Sequence, residues 1–265
     1  MSSEGFQFKQ FYVRHDRCAM KVGTDGVLLG AWTPVLDKWR MAEEGEMRIL
    51  DVGTGSGLVA LMLAQRFPKA RIDAIDIDAS AVEQAEENFA SSSWSERLQT
   101  HLSHLQDWQQ NNIPLLRGGV REGLYSLIVS NPPYFRNSLR NPDKGREMAR
   151  HTDSLSYEEL IRHCAQLLCN EGMMALILPA GAEKEICTLA MTEGLALTHL
   201  TRVYSKDTKP ARRILIAFTK TPEIRNSGNP EIRNSGNPAI SSLVLEKETG
   251  GRSAAYSKLC EDFYL

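Results

Sequence analysis

The chain has no CxxC pair. Its five cysteines (Cys18, Cys164, Cys169, Cys187 and Cys260) are odd in number and scattered. That spacing argues against a disulfide framework and against a cysteine zinc site, and it suits reduced, buried thiols in a cytoplasmic protein. No run of residues approaches the roughly 18 apolar positions that a membrane-crossing helix needs. Residues 1–10 are polar with no apolar centre, so no secretory leader is expected. A basic excess is missing too: 31 Lys and Arg stand against 33 Asp and Glu, a net charge of −2. A nucleic-acid partner would therefore have to be met by a local patch rather than by the whole surface. What is present is ordinary for a soluble globular protein, 42% hydrophobic and 24% charged over 265 residues. That length suits one large α/β domain with added segments.

The periodicity alternates between two and 3.6 from residue 47 onward. Strands are expected at Arg48–Val52, Ile72–Asp76, Leu98–Leu102, Leu124–Val129 and Gly172–Leu178, with helices at Leu58–Arg66, Ser80–Ala90, Tyr157–Cys169 and Gly181–Glu193. Leu195–Tyr204 and Arg213–Thr219 follow one another with no room for a crossover helix, so they should pair antiparallel. The fold class expected is α/β: a Rossmann-like, seven-stranded, mostly parallel sheet with an antiparallel hairpin strand, helices on both faces and a short N-terminal extension. Within the extension, Phe6–Gln10 and Phe11–Arg14 alternate enough to form a short strand or hairpin, and Val27–Leu36 has helical spacing with Thr24 or Asp25 as its cap. Four segments are expected: the extension at 1–40, the main domain at 41–222, an exposed loop at 223–238 and a packed tail at 239–265. The loop is a perfect duplication, Glu223–Pro230 repeated as Glu231–Pro238. Two copies of eight residues are too few for a solenoid, and the Asn, Ser, Gly and Pro content reads as a lengthened turn.

Two strand exits carry the chemistry. The first, Asp51-Val52-Gly53-Thr54-Gly55-Ser56-Gly57, follows a strand and opens a helix, the context in which glycines admit a ligand to the backbone and to free helix N–H groups. Asp76 ends the next strand 25 residues later, suited to accept from both hydroxyls of a ribose. The spacing is GxGxG rather than the GxGxxG of dinucleotide sites, although spacing alone leaves an NAD site or a structural glycine turn open.

The second exit comes 80 residues after Asp51. Leu124–Val129 is an uncharged strand, and Ser130-Asn131-Pro132-Pro133-Tyr134-Phe135 stops it. Two prolines make the turn rigid and extended. An aromatic exocyclic amine is a poor nucleophile because its lone pair is delocalised into the ring. The Asn131 side-chain oxygen and the Pro132 carbonyl would both accept its hydrogens and favour the pyramidal geometry that attacks an electrophilic methyl. Tyr134 would stack on the base, a contact worth about 1–3 kcal/mol. Asn131, Pro132 and Tyr134 are therefore the catalytic candidates, and a proline-stiffened turn with a buried tyrosine is the bland alternative.

Ten of the 31 Lys and Arg fall within 27 residues, in two segments expected at one sheet edge. Arg136, Arg140, Lys144, Arg146 and Arg150 leave the Asn-Pro-Pro-Tyr turn; Arg202, Lys206, Lys209, Arg212 and Arg213 lie in the hairpin connection. Phosphate contact is the use such clusters suggest, with an unstacked, flipped base as the reacting group.

Together these motifs resemble the Rossmann-like S-adenosylmethionine-dependent N-methyltransferases of adenine, guanine or glutamine amides. The bacterial branch that methylates N6 of an adenine beside a tRNA anticodon is the nearest in pattern. It shares His15 to Gly26, Ala149-Arg150-His151 and Asp262-Phe263-Tyr264-Leu265. The resemblance implies that Gly53, Gly55 and Gly57 line the methionine part of S-adenosyl-L-methionine, with Asp51 near its amino group and Asp76 on its ribose. It implies that Lys21, Thr24, Asp25 and Gly26 cover that pocket. The target base would be held by Asn131 to Tyr134, with Pro133 and Phe135 beside it and Arg136, Arg140, Arg146, Arg150, Lys206, Lys209, Arg212 and Arg213 on RNA. Many relatives set an Asp against the cofactor adenine after the third strand; here His104 stands at that place, with Asp107 three residues on, and an ordinary surface histidine is the plainer reading. The expected partner is tRNA, with no metal, no membrane, and a monomer or weak homodimer. Glutamine N5-methylation of a protein, methylation of rRNA or DNA, and a cofactor-binding RNA chaperone are the other readings.

Overall fold

Strands β1 (Gly5–Gln7) and β2 (Tyr12–Arg14) open the chain as an antiparallel hairpin with Phe6 opposite Val13. Next come α1 (Thr24–Trp32) and α2 (Asp37–Met41). The alternating body is β3 (Arg48–Val52), α3 (Leu58–Arg66), β4 (Arg71–Asp76), α4 (Ala79–Ala90), β5 (Leu98–Leu102), α5 (Leu105–Asn112) and β6 (Tyr125–Ser130). It continues as α6 (Tyr157–Leu167), β7 (Leu168–Pro179), α7 (Glu183–Thr192), β8 (Leu195–Tyr204), β9 (Arg213–Lys220), β10 (Ala239–Val244) and α8 (Ala254–Leu259). The structure, a computed structural model, describes residues 4–18, 21–41, 43, 47–112, 123–132, 155–220 and 237–265.

One sheet has the order β10-β8-β9-β7-β6-β3-β4-β5. β9 is antiparallel to β8, as expected from the missing crossover, and also to β7. Among the described residues the sheet has eight strands rather than seven. The added strand, β10, pairs parallel with β8, Ala239 opposite His199 through Val244 opposite Tyr204. Its sequence, Ala-Ile-Ser-Ser-Leu-Val, is largely exposed and carries two serines at its centre, so pairing at the sheet edge rather than an apolar face makes it a strand. β7 also starts earlier than Gly172, directly after α6, because an irregular register between Tyr125 and Leu127 accommodates Asn170 and Glu171, the latter at φ 58°.

Alternate residues of the central strands enter two different cores. Ile49, Leu127, Val129, Ala175 and Leu215 pack on the side of α1 and α3. Leu50, Val52, Ile128, Leu176 and Ile216 pack on the side of α6 and α7. Burial on both faces explains why these strands read as continuous apolar runs.

The N-terminal extension packs on the first of these cores. Gly23, not Thr24 or Asp25, occupies the cap position of α1, with extended backbone and no side-chain cap. Asp25 lies in the first turn instead. α1 ends at Trp32 rather than Leu36, because Pro34 disfavours helical backbone at Thr33. Close approach of α1 to α3 depends on Gly30, where an added Cβ would lie 2.6 Å from Sδ and 2.8 Å from Cβ of Met62. The N-terminal hairpin meets the tail through Phe8, stacked on Tyr264, and through the Lys9 N–H, which donates to the Phe263 carbonyl.

Candidate active site

β3 and β6 are neighbours, yet the chain leaves them in opposite directions along the sheet: β3 leads to β4, β6 to β7. Such a reversal opens a crevice at the carboxyl ends of the strands. The register sets Asp51 beside Val129 and Val52 beside Ser130, so the two strands finish level. The Ser130 hydroxyl donates to the Val52 carbonyl at 2.7 Å and locks the exits together. Because side chains alternate, Asn131 continues the face of Leu127 and Val129, which is also the face of Ile49 and Asp51.

The glycine loop is shaped by its own backbone. Gly53 and Thr54 N–H groups both donate to the Ile75 carbonyl, at 2.9 and 3.1 Å. Gly53 and Gly55 adopt φ of 71° and 55°, and an added Cβ at either would meet nothing within 4 Å, so the loop presents bare backbone to open space. Gly57 serves a different purpose. A Cβ there would lie 2.5 Å from the Phe89 ring, so this glycine seats the start of α3 against α4. Asn88 of α4 holds the loop from behind: its amide donates to the Ser56 carbonyl at 2.8 Å and to the Arg14 carbonyl at 2.8 Å, and its oxygen accepts from the Arg14 N–H at 2.9 Å. Sequence reasoning missed Asn88. The signal was its helical spacing from buried Ala81, Gln84 and Ala85, which places a polar side chain on the inward face.

Both exits line a single cavity of about 340 Å³, Asp51, Gly53 and Gly55 from the first and Asn131 from the second. Lys21, Thr24 and Asp25 close it from the N-terminal side. Asp51 is buried, and its carboxylate accepts from the Thr54 hydroxyl at 2.7 Å. Burial pushes its pKa up to about 7, against the opposing pull of the Thr54 hydroxyl and the Ala60 N–H. Asp76 stands behind the loop: one carboxylate oxygen accepts from the Gly55 N–H at 2.9 Å and the other from the Asp78 N–H at 3.0 Å. Each oxygen retains a further lone pair, although Asp76, like Gly57, is not among the residues lining the cavity.

Pro132 is buried directly after Asn131. His104 precedes α5 and Asp107 lies in its first turn; both are exposed, and neither is among the residues lining the cavity. Pro133, Tyr134, Phe135, Arg136, Arg140, Lys144, Arg146 and Arg150 lie outside the described residues, as does the duplicated tract from 223 to 236.

The hairpin connection stands at the same sheet edge, because β9 starts at Arg213 opposite Pro179, the last residue of β7. Lys209 and Arg212 are exposed there and Lys206 is half-buried. Two arginines of this segment have acidic partners. Arg202 forms a two-pronged pair with Glu183, at 3.0 and 2.5 Å, and the Arg213 Nε donates to Asp25 at 3.0 Å. Among the described residues, no group of three or more His, Cys, Asp or Glu is placed to hold a metal ion, and no helix is long and apolar enough to cross a membrane.

Comparison with known proteins adds a second line. Residues 36–185 match the methyltransferase small domain. The chain is 41% identical over 265 residues to the tRNA1(Val) (adenine(37)-N6)-methyltransferase of Phocaeicola vulgatus, covering 100% of this chain and 99% of that protein. Its counterpart in Parabacteroides distasonis is 43% identical over 266 residues, again with 100% and 99% coverage. That of Erwinia tasmaniensis is 40% identical over 262 residues, with 98% and 95% coverage. Among solved structures, a predicted O-methyltransferase from Agrobacterium tumefaciens superimposes with a TM-score of 0.63 over 90% of this chain and 96% of its own, at 16% identity. At that identity the likeness is one of fold.

Proposed function

Since the chain belongs to the methyltransferase small domain family, together with the tRNA1(Val) (adenine(37)-N6)-methyltransferases, we propose that it transfers a methyl group from S-adenosylmethionine to N6 of adenine 37 in that tRNA. The observation that carries this reading is that the glycine loop and Asn131 wall one cavity.

The residues present fit the cofactor. Asp51 is a buried carboxylate with hydrogen-bond donors around it, and the α-ammonium of a methionine moiety is a group it suits. A dinucleotide pyrophosphate would meet repulsion from the same carboxylate, which favours the sulfonium cofactor over NAD. Gly53 and Gly55 leave room for the methionine chain along bare backbone, and Asp76 has acceptor capacity for ribose hydroxyls. When bound, S-adenosylmethionine supplies an electrophilic methyl group.

The chain's own contribution is orientation. Asn131 Oδ1 and the Pro132 carbonyl accept the two N6 hydrogens, which turns the nitrogen lone pair out of conjugation and toward the cofactor side of the cavity. The proton then released passes to solvent, so no strong base is required. The buried Pro132 and the Ser130–Val52 bond keep these acceptors fixed while the base is held. Tyr134 supplies an aromatic face for the flipped adenine, and Lys206, Lys209 and Arg212 supply cations for RNA phosphates.

The test is transfer of a labelled methyl group. Purified protein is incubated with methyl-labelled S-adenosylmethionine and tRNA from a strain lacking the enzyme, and the tRNA is digested to nucleosides. The label is expected in N6-methyladenosine from tRNA1(Val). Label in protein glutamine, in rRNA or DNA alone, or nowhere would overturn the assignment.

A further inference from the structure

We propose that the ion pair between Asp25 and Arg213 is a latch holding the N-terminal wall of the cofactor cavity to the sheet, so that Arg213 positions the cofactor site instead of contacting RNA phosphate. The inference rests on the cofactor reading above and assigns a role that the sequence pattern does not suggest.

α1 is held at its two ends by different devices. Toward its carboxyl end, the Trp32 indole donates to Thr201 of β8 at 2.8 Å, and the Gly30 carbonyl accepts from Arg66 at 2.8 Å while Gly30 itself lies against Met62. The first turn is the part that lines the cavity, through Thr24, Asp25 and Gly26. There the Asp25 carboxylate accepts from the Arg213 Nε at 3.0 Å. Arg213 is set on a strand and not on the hairpin connection, and its register partner Pro179 closes β7. Its guanidinium is fixed a second time, donating from Nη1 to the Arg212 carbonyl at 3.1 Å. Both side chains are less than a third exposed, 30% for Arg213 and 27% for Asp25, so salt screens this pair less than an open surface pair. An acid in the first turn also suits the positive end of the helix. The guanidinium thus faces α1, with its Nε and Nη1 each directed to a protein oxygen, while Arg212 beside it is exposed.

The experiment is calorimetric titration of the full-length protein with S-adenosylhomocysteine, without RNA, alongside a separate measurement of tRNA affinity. Arg213→Met and Asp25→Asn are each expected to weaken S-adenosylhomocysteine binding about tenfold. Arg213→Lys should recover part of the loss. In turnover, Arg213→Met should raise the cofactor KM and leave kcat at saturating cofactor within about twofold of wild type, with tRNA affinity unchanged. If Arg213→Met fails to fold, Asp25→Asn carries the test. Wild-type binding matched by both variants, or a loss of tRNA affinity with cofactor affinity intact, would sink the latch alone. Failure of the wild type to bind S-adenosylhomocysteine would remove the cofactor reading and the latch with it.

Discussion

Asn131→Ala is expected to slow methyl transfer to tRNA about a thousandfold while S-adenosylhomocysteine affinity stays within about twofold of wild type. The asymmetry follows from position. Asn131 lines the same cavity as Asp51 and the glycine loop, just beyond β6, and is placed there by the level ends of β3 and β6. Its side-chain oxygen is needed only while the amine is being pyramidalised, so its removal costs transition-state stabilisation and little ground-state binding. Asn131→Asp is the sharper companion, since it keeps the shape and adds a charge facing the cavity. Single-turnover rates with saturating cofactor and tRNA separate the chemical step from binding. Turnover retained by Asn131→Ala would mean that the amine is oriented by other groups.

Asp51→Asn is expected to weaken cofactor binding roughly a hundredfold at pH 8, because it leaves the cofactor ammonium without its counter-charge in a buried site. The pH dependence carries the same signature. The Asp51 carboxyl in the folded protein titrates near 7, above its ordinary range, because burial disfavours the charge. Below that pH the group is protonated and must lose its proton before it can pair with an ammonium, so wild-type affinity should fall by up to about tenfold per pH unit as pH drops from 7. Asp51→Asn should abolish this slope. For folding the sign is opposite. A carboxyl whose folded pKa is raised favours the native state at acid pH and loses that contribution as pH rises through about 7. The ligand-free Asp51→Asn protein should therefore gain more in melting temperature over wild type at pH 8 than at pH 5, because the loss accrues between the ordinary value of 3.8 and about 7. A slope unchanged by the substitution would show that some other group titrates with the ligand.

These expectations depend on features of unequal legibility. β3 and α3 were readable to the residue, because a central strand buried on both faces is an apolar run and α3 is apolar almost throughout; the bounds of β5, a half-exposed edge strand, match without that signal. The two strand exits were readable for a related reason: a run of glycines or a pair of prolines ends a strand. What could not be read is what tertiary contact alone decides. β10 is a polar edge strand given its conformation by β8. α5, with the sequence Leu-Gln-Asp-Trp-Gln-Gln-Asn-Asn, buries only Leu105 and Gln109 and has no apolar stripe to announce it. Asn88 sits within the polar run Glu86-Glu87-Asn88, where its spacing from Ala81, Gln84 and Ala85 turns it inward but does not say that the glycine loop is what it meets. Asp25 and Arg213 are 188 residues apart, and each reads in isolation as a ligand contact, whereas the fold sets them against one another. A charge is legible as a charge; its partner belongs to the topology.

Methyl transfer by this chain requires the glycine loop and Asn131 to serve one reaction in one cavity. A crystal structure of the protein with S-adenosylhomocysteine and an adenosine-containing RNA fragment measures that directly. The account predicts the N6 nitrogen within hydrogen-bonding reach of Asn131 and the Pro132 carbonyl, and about 3–3.5 Å from where the transferred methyl would stand on the cofactor sulfur. A sulfur atom directed away from Asn131, or an adenine amine bound elsewhere on the sheet edge, would contradict it.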